Sequence, residues 1–154
     1  MDIKGIHDIF RDVSESVPGL NSFAFGWPFD RTRGADPQTG QEATYPRVFF
    51  AVPTATQDTI RQQDTYAITL FFDDLEGYDN QGEYVGDTQL EQWANLQGLA
   101  SEWVQELKGR RLEREPDGMA ITGNITQGFD SFGGTQRLVT VTLTFSIIVT
   151  ASCS

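Results

Sequence analysis

Few side chains in this sequence are of types that do chemistry unaided. The single histidine, His7, and the single cysteine, Cys153, stand at opposite ends. A nucleophile needs a base within hydrogen-bond reach, and a zinc-type site needs several nitrogen or sulfur ligands. Neither is offered, and His7 reads as a residue on the flank of a helix. The acidic stretch from Asp73 to Asp87 holds Asp73, Asp74, Glu76, Asp79 and Glu83. Asp73 and Asp74 are neighbours, and on a strand they point to opposite faces, which does not suit paired acid–base work. Calcium loops of the EF-hand type alternate oxygen ligands before a glycine and end on a glutamate, and Asp79-Asn80-Gln81-Gly82 lacks that alternation. A solvated acidic loop over 73–87 is expected, with no metal and no cofactor. Lys108, Arg110 and Arg111 form the basic cluster, but they fall at the end of a helix, where the macrodipole itself favours cations.

The whole composition agrees with this lack of catalytic groups. The 154 residues are 38% hydrophobic, enough for one domain with a core, expected to span 1–154. Eleven Lys and Arg against 22 Asp and Glu give a net charge of −11, which repels phosphate and disfavours specific binding of nucleic acid. One cysteine forms no intrachain disulfide, so folding in a reducing cytoplasm is expected. The first residues lack the pattern of a signal peptide, no apolar run is long enough to cross a bilayer, and a soluble protein without membrane contact is expected.

The elements follow from periodicity. Ile3, Ile6, Phe10, Val13 and Val17 recur at helical spacing before Pro18-Gly19. Phe23, Phe25, Trp27 and Phe29 alternate with Ala24, Gly26 and Pro28, which places four rings on one side of a short or edge strand and suits core or interface packing. Residues 30–44 have no apolar period and predict a flexible loop. Tyr45–Pro53 reads as a central strand, 54–63 as a polar bend, and Asp64–Phe72 as a strand with Tyr66, Ile68, Leu70 and Phe72 on one side, the two strands pairing as a hairpin. Thr88 caps a helix from about 89 to 111 with Leu90, Trp93, Leu96, Ala100, Trp103 or Val104, and Leu107 on its buried stripe. A strand from Met119 to Phe129 follows. The last run, 137–150, puts Val139, Val141, Leu143, Phe145, Ile147 and Val149 on one face and a threonine-rich set on the other. At roughly 3.3 Å per residue it spans about 40 Å, twice the usual strand. Either it bends or bulges, or its end outruns the sheet and offers unpaired backbone to a neighbour. The fold class expected is α+β, a mixed and mostly antiparallel sheet of long strands with one long helix across it and an N-terminal amphipathic helix.

In this order, the Tyr45-Pro46-Arg47-Val48-Phe49-Phe50 segment, the Tyr66–Asp73 strand, the Leu90–Leu107 helix and the threonine-rich closing strand resemble the small neck and tail-completion proteins of tailed bacteriophages, above all the tail terminator group. The resemblance covers nearly the whole chain and lies in layout rather than in motifs. It implies a structural virion protein without catalytic residues, whose copies close into a ring, often a hexamer, between tail tube and head connector, with DNA passing an electronegative lumen without specific binding. On that reading Arg31, Arg33, Asp36, Gln38, Ser146, Ile148 and Thr150 are candidate subunit contacts, and Asp73, Asp74, Glu76, Asp79 and Glu83 line the lumen. The alternative is a small-ligand or protein-binding α+β domain whose aromatic run lines a pocket. A third reading is an acid-dependent hydrolase using Asp73, Asp79 or Glu83.

Overall fold

The computed structural model describes residues 1–33, 35–77, 89–116, 118–132 and 137–150, the side chains of Arg33 and Phe132 excepted. Helix α1 (Ile3–Ser16) leads into β1 (Ser22–Gly26) and a 3-10 helix (Pro28–Arg33). Strands β2 (Arg47–Ala51), β3 (Thr54–Asp58) and β4 (Gln63–Leu75) follow, then α2 (Gln89–Gly109), β5 (Met119–Phe132) and β6 (Leu138–Thr150). The described strands form one mixed sheet in the order β1-β2-β4-β6-β5, with β3 beside β4 where β2 ends. Only the β1–β2 pair is parallel. The α+β expectation stands.

Alternation decides which face is buried. Tyr66, Ile68, Leu70 and Phe72 of β4 pair with Ile147, Phe145, Leu143 and Val141 of β6, and all eight are buried on the face that carries the helices. Helix α1 is started by the Asp2 side chain, which accepts from the Gly5 amide at 2.9 Å, and it buries Ile6, Phe10 and Val13. Helix α2 buries Leu96, Ala100, Trp103 and Leu107 over β4 and β6. Trp103 joins α2 to α1 and to the sheet. Its ring meets Phe10 edge-on at 5.0 Å and Phe72 at 6.3 Å, and its indole N–H donates to Ser14 Oγ at 2.9 Å. Ser14 in turn donates to the Phe10 carbonyl, so the polar atoms of this junction are satisfied.

Five expectations are corrected. Residues 54–63 are not merely a bend, since Thr54–Asp58 forms β3. β6 does not outrun the sheet, because β4 is equally long and β5 borders the other side, so its length is matched on both flanks. Residues 30–44 are not structureless: the 3-10 helix ends at Arg33, and an Ala35–Glu42 bridge closes a turn. Asp73 and Asp74 belong to β4 rather than to a loop. The aromatic row is cut after Phe25, as Trp27 and Phe29 are exposed where the chain turns into the 3-10 helix. Leu90 and Phe129 also depart from their expected stripes, at 78% and 49% exposure. Leu90 precedes the part of α2 that meets the sheet. Phe129 lies on the outermost strand, where Trp93 covers it from one side.

Trp103→Ala is expected to lower unfolding stability by about 3–5 kcal/mol. Leu90→Ser changes it by less than about 0.5 kcal/mol. Urea titration followed by circular dichroism separates the two; equal effects contradict this assignment of the helix faces.

Candidate functional site

The second face of the sheet carries the largest buried polar cluster among the described residues. The register aligns Arg47 of β2, Asp73 of β4 and Thr140 of β6 in one row across three strands. From the segment that crosses this face, Arg31 donates through Nε to Asp73 Oδ2 at 3.2 Å and through Nη2 to Asp73 Oδ1. Arg31 Nη2 also donates to Thr140 Oγ1, whose hydroxyl donates to Asp73 Oδ1, both at 2.7 Å. Arg47 Nη2 donates to the Arg31 carbonyl at 2.7 Å and lies 3.7 Å from Asp73 Oδ2. Asp73 is 0% exposed, and Arg31, Arg47 and Thr140 are each buried.

Aromatic faces complete the cluster. The Arg31 guanidinium lies 3.8 Å from the Phe71 centroid, and that of Arg47 lies 5.3 Å from Tyr45 and 5.2 Å from Phe49. Arg47 Nε and Nη1 have no hydrogen-bond partner among the described residues, and the neighbouring rings are what the guanidinium has there instead. The same burial pushes the Tyr45 phenol above its ordinary range. The crossing segment also fits tightly at Gly26, where a Cβ would stand 2.9 Å from Pro37 Cγ and 3.0 Å from Asp30 Oδ2.

Structurally this cluster is a clamp that ties Arg31 to β4 and β6. The Asp73 carboxylate accepts two hydrogen bonds from the Arg31 guanidinium and one from the Thr140 hydroxyl, and it is fully buried. The expected roles are therefore corrected for two residues: Asp73 faces no lumen, and Arg31 offers no surface to a neighbouring copy. Both are interior. Asp74, one residue on, points to the helix face instead, where burial raises its pKa against hydrogen bonds from the Leu75 amide and Gln92. Glu76 accepts from Gln89 Nε2 at 2.7 Å and lies 3.9 Å from Arg137. Asp79 and Glu83 lie outside the described residues, as does the side chain of Arg33. Asp36 is half-buried, and Gln38 is exposed on the turn. Ser146, Ile148 and Thr150 share the threonine-rich face, but their strand is interior and offers no free backbone edge. Residue types alone hide Arg47 and Thr140. The signals were a charge opening an apolar strand and the parity that puts Thr140 opposite Asp73.

At the margins of the sheet, strands lack a second strand partner among the described residues. β5 pairs with β6 alone along 14 residues, from Met119 to Phe132, that carry a single charge, Asp130, and no proline. Natural edge strands are usually guarded by lysines, prolines or bulges. β5 has one such guard and a partial second. Gly123, Asn124 and Ile125 stand opposite Phe145 alone, with Gly123 at φ +70°, and Trp93 Nε1 donates to the Asp130 carbonyl at 3.0 Å. Away from these two places no described backbone group is hydrogen-bonded to this edge, and the 3-10 turn at Leu112–Arg114 packs beside its first residues. On the opposite margin the five residues of β3 are all exposed.

Among the described residues no three His, Cys, Asp or Glu side chains are grouped to hold a metal, and no helix is long and apolar enough to cross a membrane. Neither a scan of family models nor a search of curated proteins finds a match to this chain.

Asp73→Asn leaves two buried guanidinium groups without their counter-charge and is expected to cost about 3–5 kcal/mol in a denaturant melt; a loss below about 1 kcal/mol would show the cluster to be solvated. Asp74→Asn acts in the opposite direction. A carboxyl whose folded pKa is raised is held in its charged form at a cost, and stability falls as pH rises from the ordinary carboxylate value through the raised one. The Asn variant therefore melts higher than the parent at neutral pH, and the gain fades in acid. A lower melting temperature at neutral pH contradicts the assignment.

Proposed function

We propose that the protein is a structural subunit whose copies associate head to tail into a closed ring at the neck or tail end of a tailed-phage virion, with DNA passing the ring without specific contact. The observation that carries this reading is the long, almost uncharged outer edge of β5. It is complemented by the strand directions. β4 runs antiparallel to both β3 and β6, and β5 is antiparallel to β6, so β3 runs opposite to β5. When the β5 of one copy is brought alongside the β3 of the next, the antiparallel ladder continues. The rows coincide as well, since Met119–Thr122 of β5 and Thr54–Asp58 of β3 flank the same end of β4 and β6. Repetition of one heterologous contact closes a ring where the rotation permits.

This contact replaces the end of β6 as the proposed interface. The net charge of −11 per copy opposes assembly, a repulsion that salt screens, and the same charge keeps duplex DNA from adhering. Six copies, attachment to tail tube and head connector, and residence in the virion belong to the same proposal through the resemblance in layout.

Light scattering at low and high salt tests it. The mass is expected to rise with salt from the 17.2 kDa of one chain to a fixed multiple. The double variant Ala120→Lys/Thr126→Lys, at two exposed β5 positions, is expected to keep its cooperative melt and to remain at the mass of one chain. A parent that stays monomeric at every salt concentration, or a variant that assembles equally well, overturns the proposal.

A further inference from the structure

The margin that bears β3 also bears β1, and a second feature lies there, beside β1. A cleft of about 310 Å³ borders Ser22–Ala24 of β1, walled by α1 on one side and by residues 36–44 on the other, with Phe25 continuing the strand just beyond it. β1 is the terminal strand of the sheet and pairs with β2 alone. The Val52 amide donates to the Gly26 carbonyl, so the backbone of Gly26 faces β2. Alternation then turns the N–H and C=O groups of Phe23 and Phe25 outward, and no described residue bonds to them. The strand is firmly held from behind. Ser22 Oγ donates to the Thr44 carbonyl at 2.6 Å, Thr44 Oγ1 donates to the Asn21 carbonyl at 3.0 Å, and the His7 ring meets Phe23 and Phe25 edge-on at 5.4 and 5.5 Å.

The charges of the two walls are unequally compensated. Arg11 lies 3.7 Å from Asp8 and 3.9 Å from Asp12, Arg47 is engaged with Asp73, and His7 is hydrogen-bonded to Asp8. Glu15 on the helical wall and Asp36 and Glu42 on the opposite wall line the same cleft and have no cation within salt-bridge distance among the described residues. We infer that this cleft takes an extended cationic segment of another polypeptide, which adds as a strand to the outer edge of β1 and places adjacent Lys or Arg side chains against Glu15 on one wall and Asp36 and Glu42 on the other. Successive side chains of a strand point to opposite faces, so two neighbouring basic residues reach the two walls at once. Backbone pairing with Phe23 and Phe25 supplies the attachment, and the carboxylates supply the selection.

The test uses the full chain and a short peptide of Thr and Val with a central Lys-Lys pair. Titration is expected to shift the amide resonances of Phe23 and Phe25 and to slow their exchange. The Glu15→Lys/Glu42→Lys variant, altered at two exposed positions, is expected to bind about tenfold more weakly, as two surface pairs turned from attraction to repulsion would produce. The same peptide N-methylated throughout keeps both charges but loses every backbone donor, and it is expected not to bind. Absence of any shift at β1, undiminished binding by the variant, equal binding of the methylated peptide, or equal binding of a Glu-Glu analogue each overturns the inference. None of these outcomes bears on the β5 contact, which is read from mass.

Discussion

The pairing of β4 with β6 is the constraint from which the rest follows. Thirteen residues of each strand are aligned without interruption, from Gln63 opposite Thr150 to Leu75 opposite Leu138. Because a strand has a period of two, this one register fixes two surfaces at once. It gathers Tyr66, Ile68, Leu70, Phe72 and their β6 partners under the helices, and it brings Asp73 opposite Thr140 on the reverse face. A slip by one residue would place Asp73 against Trp103 and expose the apolar set.

The reverse face shows how a strand can bury charge. Asp73 is answered by Arg31, Arg47 and Thr140, and this arrangement ties the 3-10 helix and the following turn across the sheet. Such a cluster adds little net stability over an apolar equivalent, but its loss in part is costly, and it specifies where the crossing segment lies. The segment in turn forms one wall of the β1 cleft, so interior electrostatics position a surface feature. The other helical layer does the same from above, since α1 is anchored through Ser14 and Trp103.

Unpaired strand edges among the described residues therefore lie at the margins, not within the sheet. The central strands are paired on both sides, whereas β5, β3 and β1 each have one edge without a strand partner among the described residues. The two margins differ in chemistry. β5 is long and nearly uncharged, and β1 is short, recessed and bordered by carboxylates. An edge of the first kind suits repetition of like subunits, and an edge of the second kind suits recognition of a basic segment.

Local pattern alone determined the helices at Ile3–Ser16 and Gln89–Gly109, the buried faces of β4 and β6, and the α+β class, because each depends on periodicity within a segment. The polar stretch 54–58 escaped that reading, since β3 is exposed on every residue and shows no apolar alternation. The overlong look of β6 was a fact about one segment, and only its neighbours β4 and β5 could reveal that its length is matched. Likewise, Arg31 and Asp73 read as surface charges because the groups that bury them are distant in sequence; the two lie 42 positions apart, and Thr140 lies 67 from Asp73. Periodicity reports which side of an element is buried, whereas the identity of what covers it depends on contacts between distant segments. For that reason the core was determined by the sequence itself, and the clamp, the open β5 edge and the β1 cleft were decided by the tertiary structure.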